Sequence, residues 1–238
     1  IEEVERKFMG RKRKGLLVIV SHPSDILDIR DVIKNREDIE SLLEYDLSYS
    51  KSYLIDKDLT PMTEVQVLGS ISPSEHKSID KTIEISNIKQ ADITEELKNV
   101  KILSLDIEVF SPDRNPDPSR DPIIMISIAT QNLDKVLTWK KFEAPNFVET
   151  LGSEAELIER FLAIVKEENP DIILTYNGDL FDFPYLRERA TILRIPFRIG
   201  RDDSPPILVR RGRTSVAKIR GIQHIDLYSV IERHVTIS

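Results

Sequence analysis

The sequence predicts a mixed α/β (α+β) fold, a mixed sheet with helices packed on it, preceded by a smaller α+β unit. Three observations predict it. Apolar strand-like runs at 101–110, 123–130 and 135–139 follow one another in quick succession. Helix-period segments with start and stop signals then alternate with further short apolar runs. Finally, 40% of the 238 residues are hydrophobic, enough to form the cores of one or two domains.

Taken in order, Leu16-Leu17-Val18-Ile19-Val20 reads as a buried strand, and Ser24 as the cap of a helix whose Ile26, Ile29, Val32 and Ile33 share one face. Another turn or two of helix is expected over 38–43. Residues 56–98 are less regular: Ser-Ile-Ser-Pro-Ser at 70–74 reads as a loop, and Thr82-Ile83-Glu84-Ile85-Ser86 as a strand with one wet face. A boundary near residue 98 divides the chain into units 1–98 and 99–238. In the second, the three strands form an antiparallel meander, with the acidic, proline-rich stretch 112–122 looping between the first two. Ser153 and Glu156 read as a capping box. The helix it opens carries Leu157, Ile158, Phe161, Leu162 and Val165 on one face and stops at Asn169-Pro170. Ile172-Ile173-Leu174 is a buried strand. A second helix starts close to Phe181, tolerates Pro184 in its first turn and runs to about Leu193. Gln223-His224-Ile225-Asp226-Leu227 is the last strand.

No stretch approaches the roughly 18 consecutive apolar residues of a membrane span, and the opening Ile-Glu-Glu-Val-Glu-Arg-Lys has no apolar signal-peptide core. Without an initiator Met, the segment is expected to begin inside a longer gene product. The absence of cysteine excludes disulfides, thiolate zinc sites and a Cys nucleophile, so an intracellular location is expected. A net charge of −7 is the wrong sign for wrapping DNA over the whole surface, and charge placement matters more than its sum. Arg11-Lys12-Arg13-Lys14 reads as a solvated charged turn. Arg210, Arg211, Arg213, Lys218 and Arg220 form either a solvated stretch or a phosphate-holding one.

Two stretches carry chemistry: Leu103-Ser104-Leu105-Asp106-Ile107-Glu108-Val109 and Tyr176-Asn177-Gly178-Asp179-Leu180-Phe181-Asp182. Strand alternation puts Ser104, Asp106 and Glu108 on one face. Two carboxylates so placed repel unless something positive sits between them. Asp182 alone reads as an acid offsetting a helix dipole, and Asn177 and Asp179 as turn residues around Gly178. Together, three hard oxygen ligands from neighbouring strand ends could hold Mg²⁺ or Mn²⁺ for phosphodiester hydrolysis. Asp113, Asp117 and Asp121 read as loop solvation. His22, His76, His224 and His234 form no common pattern, so no His-based mechanism is expected, and Trp139 and the tyrosines read as core or rim packing.

Leu-Asp-Ile-Glu and Tyr-Asn-Gly-Asp-Leu-Phe-Asp-Phe-Pro-Tyr-Leu resemble the first two exonuclease motifs of archaeal family B DNA polymerases. The resemblance also takes in Leu43-Glu44-Tyr45-Asp46, Lys51-Ser52-Tyr53-Leu54-Ile55-Asp56-Lys57, Pro122-Ile123-Ile124-Met125-Ile126-Ser127 and His224-Ile225-Asp226-Leu227-Tyr228, and spans nearly the whole chain apart from 64–98. It implies a ribonuclease H-like 3′–5′ exonuclease domain (99–238) beside a partial N-terminal domain (1–98). It further implies a two-metal Mg²⁺ or Mn²⁺ site, with Asp106 bridging, Glu108 on the metal carrying the attacking water and Asp182 on the second. Asn177 and Phe181 would contact the terminal nucleotides of a frayed or single-stranded primer 3′ end. The segment with Arg210, Arg211, Arg213 and Lys218 resembles the family's exonuclease β-hairpin. Ser52 and Ser48 stand where relatives that sense template uracil usually carry Arg and often carry Pro.

The resemblance implies a third exonuclease motif, a Tyr with an Asp four residues later, that would be expected beyond Ser238, so the chain is expected to be a natural or engineered piece of a polymerase. The function implied is proofreading hydrolysis within a replicative DNA-directed DNA polymerase, cytoplasmic and nucleoid-associated. A sliding clamp is the expected partner of the intact enzyme, and the piece itself is expected to be monomeric. Two rivals are a catalytically incomplete DNA-binding module and a free-standing nuclease acting on RNA.

Overall fold

The computed structural model describes all residues except Met9, Met62, 74–78, Asp80, 92–98, Asp113, Gly212, Arg213 and 235–238; Lys7, Phe8, Arg210, Arg211, Thr214, Ser215, Arg233 and His234 are described by backbone alone. The chain divides into two units, one of Ile1–Ser70 with Ile83–Glu96, the other of Ile71–Thr82 with Leu97–Ser238.

In the first unit, β1 (Glu2–Phe8) and β2 (Arg11–Leu17) form an antiparallel hairpin. The basic run therefore lies in a strand rather than a turn. It is solvated all the same: Arg11 to Lys14 are exposed, and Lys12 reaches Glu5 at 3.0 Å. The strand ends at Leu17, and Val18 and Ile19 are exposed rather than buried. α1 (Asp25–Ile33) forms as expected, but Ser24 is itself helical and does not cap it. Its hydroxyl is taken by His22 and Asp25. Residues 38–43 are not helical. The second helix is instead α2 (Tyr49–Asp56), where the extended Ser48 accepts from the Lys51 N–H at 3.4 Å. β3 (Val65–Ser72) pairs with β4 (Thr82–Gln90). Residues 70–72 thus continue a strand rather than a loop, and Ser74 lies outside the described residues. Among the described residues of this unit, Leu59 alone is buried.

The hydrophobic core belongs to the second unit. Its elements are β5 (Ile102–Val109), β6 (Ile123–Ala129), β7 (Asp134–Thr138), β8 (Val148–Thr150), α3 (Glu154–Glu168), β9 (Ile172–Thr175), α4 (Asp182–Ile192), β10 (Ile207–Arg211), β11 (Thr214–Lys218), β12 (Gln223–Asp226) and α5 (Leu227–His234). Six strands make one sheet in the order β12-β9-β5-β6-β7-β8. β5, β6 and β7 are the antiparallel meander; β12, β9 and β5 run parallel, as do β7 and β8. This is the mixed sheet expected of a ribonuclease H-like domain. The sequence reading had not singled out β8 or α5.

α3 opens on Ser153, whose hydroxyl accepts from the Glu156 N–H at 3.2 Å, while Glu156 turns back to the Gly152 N–H at 2.9 Å. The capping box thus forms with its return bond one residue early. Asn169, left-handed at φ 45°, ends the helix. Leu157, Ile158, Phe161, Ile164 and Val165 cover the sheet, and Phe183, Tyr185, Leu186 and Ala190 of α4 join the same core.

Candidate active site

β5 sits in the middle of the sheet, between β9 and β6, and its alternation is as the sequence predicts. Leu103, Leu105 and Ile107 are buried, whereas Asp106 and Glu108 are exposed on the other face. Pairing of Ser104 with Leu174 in the parallel β5–β9 ladder brings the end of β9 level with Leu105. The 176–181 loop therefore leaves β9 alongside Asp106 and delivers α4 against β5, at the carboxyl ends of parallel strands, a recurrent place for ligand sites in α/β sheets.

Asp182, the first residue of α4, is 1% exposed, and its Oδ1 accepts the backbone N–H of Ile107 at 3.1 Å. That bond docks the α4 N-terminus on the strand between Asp106 and Glu108. Burial, reinforced by the Asp106 charge, pushes the Asp182 carboxyl up to about 7. Two acidic groups in mutual repulsion, one of them dehydrated, are a donor set that a hard divalent cation would relieve. Asp106 and Asp182 fit that role. Glu108 projects from the same face two residues on, but among the described residues no three Asp, Glu or His side chains converge into a ready metal cage.

The loop's backbone explains its composition. Asn177 is left-handed at φ 67°, a conformation Asn tolerates, and its carbonyl accepts from Leu180 and Phe181. Gly178 is required by close approach, because a Cβ there would drive into the Thr175 side chain. Gly178→Ala is expected to cost about 1–3 kcal/mol through overpacking, measured as a lowered denaturant midpoint with unchanged slope. Phe181 is half-buried with its ring 5.4 Å from that of Tyr185.

Sequence reasoning missed the support beneath this loop. Asp226, at the end of β12, is buried, and its two oxygens accept the N–H groups of Asn177 (2.8 Å), Asp179 (3.0 Å) and Tyr228 (3.0 Å). Three of its roughly four acceptor sites are thus engaged in holding the loop and the start of α5. Asp179, read as a turn residue, accepts the Ala217 N–H at 2.6 Å. His224, assigned no role, is buried between Thr175, Phe183 and Ala217. The available signal was the short apolar run ending in Asp226: a strand parallel to β9 must end beside the same loop.

The basic segment lies on a two-stranded hairpin, Ile207 opposite Lys218 through Arg211 opposite Thr214. Arg210 and Arg211 occupy β10, Lys218 is exposed at the end of β11, and Arg213 lies outside the described residues. Among the described residues no helix is long and apolar enough to cross a membrane.

Comparison with known proteins gives one answer. The family model for the exonuclease domain of DNA polymerase family B matches residues 40–238. DNA polymerases of Pyrococcus glycovorans and Pyrococcus horikoshii are similar at 37% identity over 237 residues and 36% over 236, covering 100% and 99% of this chain but 26% and 16% of theirs. That of Thermococcus kodakarensis is 35% identical over 237 residues, 12% of its length. The chain thus spans about a quarter or less of these relatives. The structure of the family B DNA polymerase from the hyperthermophilic archaeon Pyrobaculum calidifontis superimposes on the whole chain with a TM-score of 0.70 at 29% identity, over 29% of its own length. The archaeal resemblance first carried by the motifs of β5 and the 176–182 segment therefore extends over the entire chain, which belongs to the exonuclease-domain family of the family B DNA polymerases.

Proposed function

We propose that the chain is the N-terminal (1–98) and 3′–5′ proofreading exonuclease (99–238) portion of a DNA-directed DNA polymerase, and that it hydrolyses DNA 3′ ends to nucleoside monophosphates. The observation that carries this reading is the docking of Asp182 on the Ile107 N–H, beside Asp106 and on the strand that bears Glu108. Asp106, Glu108 and Asp182 would hold Mg²⁺ or Mn²⁺. Two such ions, when bound, would supply an activated water near neutral pH and charge neutralisation at the leaving 3′ oxygen. Asp106, held rigid in the central strand, fixes the origin of the site. Asp182, whose Oδ1 accepts the Ile107 N–H, would serve as a second ligand in its ionised form, and the exposed Glu108 would supply the third carboxylate from the same strand face.

Asn177 and Phe181 lie on the loop next to these carboxylates, suited to an extruded terminal nucleotide: Phe181 offers a ring face and Asn177 a polar side chain. Arg210, Arg211, Arg213 and Lys218 belong to the adjoining hairpin segment and would take phosphates. In the intact polymerase the partners would be a primer 3′ end and a sliding clamp, and the setting the cytoplasmic nucleoid.

The test is Mg²⁺- or Mn²⁺-dependent release of nucleotides from 5′-labelled single-stranded DNA by the wild type and Asp106→Ala. Release by the wild type and loss of at least about a thousandfold in the variant are expected if both ions depend on this carboxylate. One observation favours a second reading: no three carboxylates converge among the described residues. A catalytically incomplete DNA-binding module would show salt-sensitive DNA binding without release under either ion.

A further inference from the structure

We infer that Asp179 and His224 latch the edge of the β10–β11 hairpin to the loop carrying Asn177 and Phe181, and so act as positioning residues for the DNA end. The inference rests on the nuclease reading above. Ala217 has one N–H, and it donates outward to Asp179 Oδ1 at 2.6 Å. Its carbonyl, on the same edge, lies 3.2 Å from His224 Nδ1. Two side chains thus take both backbone groups of one edge residue, as a neighbouring strand would.

The hydrogen-bond pattern assigns the histidine tautomer. A carbonyl oxygen can only accept, so Nδ1 carries the proton, and its distance of 3.3 Å from Asp179 Oδ1 lets that proton be shared. Nε2 is then the acceptor for the Thr175 hydroxyl at 2.8 Å. The ring is wedged edge-on against Phe183, with centroids 4.7 Å apart. Asp226 holds the Asn177 and Asp179 N–H groups from below, which fixes the loop side of the latch.

Among the described residues the hairpin joins no strand of the six-stranded sheet. Ala217, Ile219 and Ile222 pack into the core and Leu208 packs against it, but apolar packing alone sets no register. The latch sets it. It fixes the strand bearing Lys218, and β10 paired to it with Arg210 and Arg211, at a defined distance from the nucleotide-facing loop. A strand whose last base sits at Phe181 then meets the exposed Lys218 in a fixed register.

The experiment uses the intact protein and two readouts. In Asp179→Ala, exchange of the Ala217 amide is expected to accelerate on the order of tenfold, the loss of one charge-assisted hydrogen bond. Amides of Leu105 and Ile126 in the sheet should stay at wild-type rates, which reports correct folding. KM for release from a single-stranded oligothymidylate should rise on the order of tenfold, with the change in KM rather than kcat. Asp179→Asn, which keeps Oδ1 as an acceptor, should restore both readouts. His224→Phe, which keeps the aromatic packing and removes the donor to the Ala217 carbonyl, should reproduce the KM change. Wild-type exchange at Ala217 in Asp179→Ala, or fast exchange with an unmoved KM, overturns the proposal. If the wild type releases no nucleotide, the nuclease reading falls and the DNA-positioning role with it, whereas the exchange result still decides whether the latch exists.

Discussion

Asp182→Asn is expected to make the metal-free protein more stable at pH 8 and to abolish the nuclease activity proposed for it. The carboxyl is held at about 7 by burial and by the Asp106 charge, whereas an Asp in an unfolded chain titrates near 3.9. Between those values the folded state keeps a proton that the unfolded state has released. Stability from this group is therefore fully present below about pH 4 and is lost as pH rises through about 7. Three pKa units correspond to roughly 4 kcal/mol as an upper bound. Asn keeps the oxygen that accepts the Ile107 N–H and carries no charge. Its gain at pH 8 is expected at about 2–4 kcal/mol, with a flatter stability profile between pH 4 and 7.

A divalent cation reverses the comparison. It is expected to bind the ionised wild-type site and add stability by mass action, while Asp182→Asn, lacking the proposed ligand, should gain little. Urea unfolding at pH 5 and pH 8, with EDTA or with Mg²⁺, distinguishes all four cases. An Asp182→Asn protein no more stable than wild type at pH 8 in EDTA would mean that the carboxyl is not dehydrated against Asp106.

How much of this site was legible depended on the distance in sequence over which each feature is determined. The β5 carboxylates were legible because a two-residue period with Leu103, Leu105 and Ile107 on the other face needs only local information. The α4 start was legible because Phe181 to Pro184 carries its own helix-entry signals. Ser24 and Ser48 show the limit of such signals. Both precede helical segments, and backbone conformation separates them: Ser24 is helical with its hydroxyl engaged by His22 and Asp25, whereas the extended Ser48 accepts from Lys51 even though its hydroxyl also pairs with Ser50. The Asp226–Asp179–His224 arrangement was not legible, since it exists only once β12 pairs with β9 and sets Asp226 opposite Thr175. The hairpin was legible through the family resemblance of the 210–220 segment, not through local periodicity, because charges interrupt its apolar residues. Its basic side chains were noted from the sequence, but its attachment through the Ala217 backbone leaves no trace in residue identities.

Arg189→Ala is expected to be the most destabilising single change outside the site, by about 3–5 kcal/mol. The side chain is 7% exposed, on the core face of α4. It forks onto Glu154 with Nε–Oε1 at 2.8 Å and Nη2–Oε2 at 2.5 Å, and its Nη1 donates to the Pro118 carbonyl at 2.9 Å. Glu154 also accepts the Ile123 N–H at 2.8 Å, so one buried pair ties the start of α3, the first residue of β6, α4 and the proline-rich loop. A turn earlier on α4, the Tyr185 hydroxyl donates to the Asp121 carbonyl at 2.9 Å, closing the same loop. Ala at 189 leaves the Glu154 carboxylate buried without its cation, the costly way to break such a pair. The double variant Glu154→Gln with Arg189→Met removes both charges together and is expected to recover a large part of the loss. Because α4 also carries Asp182, loosening this clamp should reach the candidate active site: in Arg189→Ala the Ile107 amide, which donates to Asp182, is expected to exchange faster than in wild type at equal temperature. Unchanged exchange there, alongside the loss of global stability, would mean that the Asp182 contact with Ile107 holds the α4 N-terminus without help from the clamp.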